Sequence, residues 1–256
     1  MTELAGRTAL VTGGGRGIGR HIATGLAEAG ADVIVASRKL ANCQATSAAL
    51  EALGRRAWAF PVDLADAASI DALADAALGA VDRLDILVKQ RGRDLGRAHA
   101  RLRSDGRLGP HVRRERTRAL AALAARRAAH GRSRRRRDRA RVVDLRLPRV
   151  ARGEGPAIAY NAGRGAVNTL TKDMAVKLAR DRIRVNSIAP GAFDTDMMDY
   201  VRGDAEKMAR FLDQIPLARA GGEDDVKGAA VFLASDAAAY VTGHNLIVDG
   251  GWLVRA

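Results

Sequence analysis

The chain has one cysteine, Cys43, among its 256 residues, with six prolines and an aromatic content of only 4%. A single cysteine excludes an internal disulfide and is typical of a reducing compartment, so we expect Cys43 to be a packed helix thiol rather than a redox or nucleophilic site. No apolar run reaches membrane-spanning length, and residues 1–7 lack the basic-then-apolar order of a signal peptide. We therefore expect a cytoplasmic protein that does not enter a membrane.

The formal net charge of +14 comes from one segment of the chain. Residues 89–152 contain 23 basic and 5 acidic side chains, whereas the rest of the chain contains 20 and 24. The segment includes the run Arg134 to Arg137 and has no aromatic residue. Binders of single-stranded nucleic acid interleave cations with stacking aromatics, so a nucleic-acid role is disfavoured. The composition predicts a mobile, poorly packed loop, because so few large apolar side chains cannot order it.

The rest of the pattern predicts one α/β domain over residues 1–256. Apolar runs at 8–11 and 32–36 flank a helical spacing of Ile18, Ile22 and Leu26, which indicates a β-α-β unit with a right-handed crossover. Further strands are predicted at 56–62, 84–88, 182–189 and 245–251, and helices at 41–53, 70–78, 160–178 and 223–233. This order favours a Rossmann-type, doubly wound parallel sheet with helices on both faces.

A glycine-rich loop joins the first predicted strand to the first helix. Its Gly-x-x-x-Gly-x-Gly spacing gives a tight turn without side chains and free backbone N–H groups at a helix N-terminus, which a dinucleotide pyrophosphate requires. A plain structural turn is the alternative. The cofactor-binding residues predicted in this loop are Thr12, Gly13, Arg16, Gly17, Ile18 and Gly19.

The end of the second predicted strand indicates which dinucleotide is bound. A carboxylate at this point would bind the ribose 2′-hydroxyl of NAD, whereas a cation would accept the 2′-phosphate of NADP. The chain has Ser37, Arg38 and Lys39 here, with Arg16 in the glycine loop. We therefore predict NADP as the cofactor, with NAD as the alternative. The same charges could also simply begin a solvated helix.

The third predicted strand ends at Asp63 and Leu64, beside the expected position of the adenine base. Asp63 is a candidate acceptor for the amino group of the base. Its other candidate role is to cap the following helix, which Asp66 or Ser69 could do instead.

These motifs, together with Leu84 to Val88, resemble those of the short-chain dehydrogenase/reductase family, near its 3-oxoacyl-carrier-protein reductase-like members. The resemblance covers residues 1–88 and about 156–256. It implies an enzyme that transfers a hydride between NADPH and a ketone or 3-oxoacyl substrate. It also implies a homo-oligomer, a tetramer or dimer, with the strand at 245–251 at the interface.

The resemblance assigns the catalytic residues. Tyr160 matches the tyrosine of the family's Tyr-x-x-x-Lys motif, which exchanges a proton with the substrate oxygen. Arg164 replaces the lysine, which in the family lowers the pKa of the tyrosine and holds the nicotinamide ribose, and the resemblance places both residues at the cofactor as well. Arginine keeps the positive charge, although its planar fork suits a site shaped for an ammonium poorly. A core tyrosine with a surface arginine is the alternative. Pro190, Gly191 and Thr195 are assigned to the nicotinamide side, and no residue is predicted to bind a metal.

The segment between the two matching stretches departs from the family. Lys89-Gln90-Arg91 can be encoded as AAA CAA CGC, and removal of one A restarts translation as Asn-Asn-Ala, the start of the family's Asn-Asn-Ala-Gly motif. In the same displaced frame, codons 111–119 permit a sequence that resembles the family's Asn-Val-x-Gly motif. Codons 138–145 permit a serine-containing sequence that resembles the family's strand with the catalytic serine. We hypothesise that residues 89 to about 152 are frameshifted, with the original frame restored before Pro156.

This hypothesis has structural and functional consequences. The sheet would lose its fifth strand unless residues 142–150 can serve. The family's asparagine and serine partners are absent from the chain, so we predict very low turnover. A dinucleotide-binding protein without catalysis is the alternative. Residues 196–216 are predicted to form a mobile substrate lid, which is compatible with a helical hairpin packed on the core.

Overall fold

The computed structural model describes residues 3–90, 141–145, 158–195 and 198–255. Within these ranges, parallel strands form one seven-stranded sheet in the order β3-β2-β1-β4-β5-β6-β7. The strands are β1 Thr8–Thr12, β2 Asp32–Ser37, β3 Ala57–Pro61, β4 Ile86–Lys89, β5 Arg141–Leu145, β6 Arg184–Pro190 and β7 Asn245–Val248. The order reverses between β1 and β4, which confirms the doubly wound Rossmann topology and places a ligand crevice at that point.

Helices cover both faces of the sheet. They are α1 Gly17–Glu28, α2 Leu40–Glu51, α3 Ala67–Ala80, α4 Ile158–Leu178, α5 Asp199–Arg202, α6 Ala205–Asp213 and α7 Glu223–Ala234. Alternate residues of β2 feed two cores: Val33 and Val35 pack with α1, α2 and α7, whereas Ile34 and Ala36 pack with α3 and α4. Both faces of the central strands are therefore apolar, as the continuous apolar runs predicted.

Two predicted element ends differ from the structure for local reasons. Helix α3 begins at Ala67 rather than at residue 70, because the Asp66 carboxylate accepts a hydrogen bond from the Ala68 N–H at 3.0 Å and caps the helix. Strand β7 ends at Val248 rather than at residue 251. Gly250 and Gly251 have φ values of +64° and +87°, which an extended strand cannot accommodate.

The fifth strand is formed by residues of the basic segment. Residues 141–145 pair with β4 on one side and with β6 on the other, in continuous parallel register. Two consecutive β-branched residues, Val142 and Val143, favour extended backbone at this position. The sheet therefore keeps a fifth strand, which residues 141–145 form. The prediction of a mobile loop covers residues 89–152, and of these the structure describes only Lys89, Gln90 and residues 141–145.

A buried arginine links β6 to α7. Arg184 is only 6% exposed, and its Nη2 donates to the carbonyl oxygens of Leu233 at 2.8 Å and Ser235 at 3.0 Å. A cation at a helix C-terminus satisfies carbonyl groups that lack helical partners and complements the helix dipole. Arg184 therefore fixes the end of α7 against the sheet.

Among the helices in the described ranges, none is long and apolar enough to cross a membrane.

At the other end of α7, the Asp225 carboxylate accepts a hydrogen bond from the Gly222 N–H at 2.7 Å and forms a two-pronged ion pair with Arg219. The Arg219 guanidinium, aided by the Gly222 N–H, lowers the pKa of Asp225 from 3.8 to about 2. Its stabilising contribution is therefore complete above pH 3.8 and is lost as the pH falls through about 2.

We expect Asp225→Asn to lower the thermal unfolding midpoint at pH 7 by about 2 °C, as fits a solvent-accessible ion pair. The deficit should shrink below pH 4 and vanish near pH 2, which unfolding scans across this range would measure. Asp224→Asn is the matched control on the same helical turn, because that side chain is 98% exposed and its ion pair with Lys227 is longer, at 3.6 Å. A deficit that does not change between pH 7 and pH 3 would contradict the assignment.

Candidate dinucleotide-binding and catalytic site

The glycine loop lies at the carboxyl end of β1, where the strand order reverses. The Gly13 N–H donates to the Ala36 carbonyl of β2 at 2.7 Å. On the other side, the Gln90 N–H donates to the Thr12 hydroxyl at 3.1 Å. The loop is thus tied to the strands that flank β1, so its position in the crevice is fixed by the sheet itself.

Glycine is required in this loop for both conformation and space. Gly13 and Gly17 have φ values of +70° and +51°, in the left-handed region that favours glycine. A Cβ at Gly15 would lie 2.9 Å from the Asn42 Cβ and 3.1 Å from the Ser37 Oγ. A Cβ at Gly19 would lie 2.2 Å from the Gly13 carbonyl oxygen. The backbone therefore approaches β2, α2 and itself too closely for side chains.

The start of α1 has the properties of an anion site. Arg16 is the N-cap residue, its side chain makes no capping hydrogen bond, and the first helical turn contains no acidic residue. The first N–H groups of a helix have no helical acceptor, and the helix dipole is positive here. The loop and the start of α1 together fit a dinucleotide pyrophosphate held by backbone N–H groups.

The residues predicted for the adenosine end lie beside this loop. Ser37 ends β2 next to Gly15, and Arg16 and Arg38 are both exposed. Asp63 is exposed, and its Oδ1 accepts a hydrogen bond from the Ala65 N–H at 2.8 Å. The residue that caps α3 is Asp66, so the capping role suggested for Asp63 is wrong.

The residues predicted for the nicotinamide end lie on the opposite side of the loop. Pro190 is the last residue of β6, and the Gly191 N–H donates to the Val248 carbonyl of β7 at 2.7 Å. A Cβ at Gly17 would lie 3.6 Å from the Thr195 Cγ2. The fold thus brings Thr195 to the glycine loop although 178 residues of sequence separate it from Gly17.

Tyr160 and Arg164 lie one turn apart near the start of α4, which follows β5. The helix predicted over 160–178 is confirmed, with its start at Ile158. The side chains of Tyr160 and Arg164 lie outside what the structure describes, so their catalytic roles stay predictions. Strand β5, with the sequence RVVDL, contains no serine.

Residues 198–216 form a helical hairpin, α5 and α6, within the segment predicted to be a lid. Met198, Val201 and Ile215 are buried, and Phe211 packs edge-on against Trp252 with ring centroids 5.4 Å apart. The described part of this segment is therefore anchored to the core by apolar contacts.

Sequence reasoning missed two neighbours of the loop. The Gln90 Oε1 is buried without a hydrogen-bond partner in the structure, and a Cβ at Gly13 would lie 2.5 Å from it. The Cys43 Sγ lies 3.0 Å from the Ser37 Oγ. The sequence gives the glycine spacing but not which side chains pack against it, so neither contact could be found by pattern. No group of potential metal ligands occurs in the described residues.

This fold and loop define a dinucleotide-binding α/β protein of the Rossmann type. A family model described as enoyl-(acyl carrier protein) reductase matches residues 13–253. The chain belongs to the short-chain dehydrogenase/reductase family, which confirms the resemblance inferred from its motifs.

The relatives are named oxidoreductases. A 2-dehydro-3-deoxy-D-gluconate 5-dehydrogenase of Pseudoalteromonas atlantica is 38% identical over 254 residues, covering 99% of this chain and 98% of the relative. A rhamnolipids biosynthesis 3-oxoacyl-[acyl-carrier-protein] reductase of Pseudomonas aeruginosa is 34% identical, covering 98% and 97%. The crystal structure of a gluconate 5-dehydrogenase from Burkholderia cenocepacia in complex with NADP and tartrate superposes with a TM-score of 0.80 at 31% identity, covering 100% and 98%.

Proposed function

We propose that this protein is an NADP-dependent oxidoreductase that interconverts a ketone and a secondary alcohol, with Tyr160 as general acid and base. The observation that carries the proposal is the glycine loop, held between Ser37 on one side and Thr195 on the other. Bound NADPH supplies the hydride. The chain itself orients the cofactor and provides the proton.

The preference for NADP rests on charge at the adenosine end. β2 ends in Ser37 and is followed by Arg38, with Arg16 across the loop, so the end of this strand carries no carboxylate of its own to bind the 2′-hydroxyl of NAD. Guanidinium groups form strong, charge-assisted hydrogen bonds with phosphate. The related gluconate 5-dehydrogenase was solved with NADP, which supports the same choice here. NAD is the alternative.

The names of the relatives support a substrate class for the proposal. We favour the carbonyl group of a small hydroxylated carboxylic acid, because the relative with 38% identity is named for such an acid. A 3-oxoacyl thioester is the second candidate, supported by the relative with 34% identity.

Turnover is expected to be very low. A cation one helical turn from Tyr160 would stabilise its phenolate form, but arginine remains protonated and presents a broad planar fork in place of a compact ammonium. β5 supplies no serine to share the substrate oxygen. Binding of the dinucleotide without turnover is the limiting case of this proposal.

A homo-oligomer is part of the proposal. β7 is the edge strand of the sheet, and Ile247, Leu253 and Val254 near it are exposed apolar side chains. An unpaired edge beside apolar side chains is typical of a surface that pairs with another copy.

The single cysteine supports a reducing, cytoplasmic setting.

We expect Arg164→Lys to increase the rate of NADPH oxidation with a ketone substrate by at least about tenfold, because it restores a compact ammonium beside Tyr160. Tyr160→Phe, in either background, should reduce the rate to the level without enzyme. Absorbance of NADPH reports the rate, and fluorescence titration should show NADPH affinity within about twofold of the parent for Tyr160→Phe. Turnover that survives Tyr160→Phe would refute the assigned role.

A further inference from the structure

Cys43 lies beneath the proposed binding site for the adenosine ribose. It is on the first turn of α2, is fully buried, and its Sγ lies 3.0 Å from the Ser37 Oγ. Ser37 is the residue that ends β2, and its Oγ faces the loop, because a Cβ at Gly15 would lie 3.1 Å away. The Cys43 thiol therefore lies in the core, and the Ser37 hydroxyl lies between this thiol and the glycine loop.

The chemistry of the pair sets the direction of its hydrogen bonds. Burial raises the pKa of the Cys43 thiol, against smaller opposing effects of hydrogen bonds with the Ser37 hydroxyl and the Ser37 backbone. A protonated thiol has a hydrogen to donate, and a hydroxyl can accept it while donating its own hydrogen elsewhere. In this structure the single hydrogen of the Ser37 hydroxyl donates to the Lys39 carbonyl oxygen at 3.3 Å, a long hydrogen bond. A charged phosphate oxygen is a stronger acceptor, so a bound 2′-phosphate would take this hydrogen from the Lys39 carbonyl.

We propose that Cys43 is a positioning residue for cofactor choice: its S–H donates to the Ser37 Oγ, so that the Ser37 hydroxyl presents its hydrogen to the 2′-phosphate of NADP. The inference rests on the proposed function, since it concerns how that cofactor is recognised. A phosphate oxygen only accepts hydrogen bonds, so it benefits from a hydroxyl whose hydrogen is directed outwards. The 2′-hydroxyl of NADH can donate or accept and depends less on this direction.

The experiment compares dissociation constants for NADPH and NADH by fluorescence titration of the full chain and of Cys43→Ala. We expect the constant for NADPH to rise between about two- and tenfold, the range of one neutral hydrogen bond, and the constant for NADH to change less than about twofold. A merely structural role would weaken both cofactors alike. It would also lower the thermal unfolding midpoint without changing the ratio of the two constants.

Two further variants separate the outcomes. Cys43→Ser retains a donor and should restore most of the NADPH preference, and it also provides the measurement if Cys43→Ala does not fold. In a Ser37→Ala background, Cys43→Ala should have no additional effect on the ratio, because the group that it orients is gone.

The possible failures are distinguishable. An unchanged ratio, or tighter NADPH binding in Cys43→Ala, overturns the role of Cys43 and leaves the proposed function standing. Tighter binding would mean that the thiol accepts from Ser37 and withholds its hydroxyl from the cofactor. A parent chain that binds neither NADPH nor NADH overturns the proposed function, and this inference with it.

Discussion

Gly19→Ala should severely weaken NADPH binding and lower the free energy of unfolding by about 2–4 kcal/mol. The added Cβ would lie 2.2 Å from the Gly13 carbonyl oxygen and 2.3 Å from the Gln90 Oε1. The first of these is backbone of the glycine loop, so the clash cannot be relieved by rotating a side chain. Either α1 must withdraw from β1 or the loop must open, and both movements displace the N–H groups proposed to hold the pyrophosphate.

Fluorescence titration with NADPH and denaturant unfolding would measure the two effects, with an expected loss of affinity of at least about 100-fold. Gly79→Ala is the matched control, because Gly79 is also helical and has nothing within 4 Å of its added Cβ. It should leave NADPH affinity unchanged and leave stability equal or slightly higher. Gly19→Ala protein that binds NADPH as the parent does would refute the assignment of this loop to the cofactor.

Restoring the displaced reading frame between codons 89 and about 152 should raise kcat/KM for NADPH-dependent ketone reduction by at least about 100-fold. The shift puts Asn-Asn-Ala at positions 89–91 and permits serines in the strand that now reads RVVDL. A positioned hydroxyl at the carboxyl end of β5 could hydrogen-bond the substrate oxygen beside Tyr160. The change also removes a segment with a net charge of +18 from a protein whose remainder is mildly acidic.

The coding DNA gives the first check. A nucleotide run that cannot encode the three motifs one base over would refute the frameshift hypothesis without any protein chemistry. If the run does encode them, the restored chain should be assayed beside the parent and beside restored Tyr160→Phe, which should again be inactive. A restored chain no faster than the parent would show that the missing asparagine and serine partners do not limit turnover.

The predictable part of the site consists of local patterns. The glycine spacing, the cations after β2 and the pair Tyr160 and Arg164 are each contained within a few residues, so the sequence identifies them and their elements directly. The strands were predicted from continuous apolar runs, and β1, β2 and β4 are buried along most or all of their length. Such runs arise because a parallel sheet is covered on both faces.

Contacts between distant parts of the chain could not be predicted in this way. The buried guanidinium of Arg184 beneath the end of α7 looks like an ordinary surface charge in the sequence. The sequence predicts the fifth strand only conditionally, because Val142 and Val143 are flanked by charged residues. The structure shows that the segment is a strand, since it pairs with both β4 and β6. The two valines favour extended backbone, but so short a run becomes a strand only through its tertiary pairing.

The sequence by itself determined that this chain builds a dinucleotide crevice, because a glycine loop, its strand and its helix are contiguous and their requirements are local. Only the tertiary structure decided how side chains surround that loop: it places the predicted Thr195 and Ser37 on either side, and it adds Cys43 behind Ser37 and Gln90 beside Gly13. The physical reason is that parallel strands from distant parts of the chain end at the same edge of the sheet. Neighbours across that edge are set by strand order, and no spacing within the sequence encodes their distance.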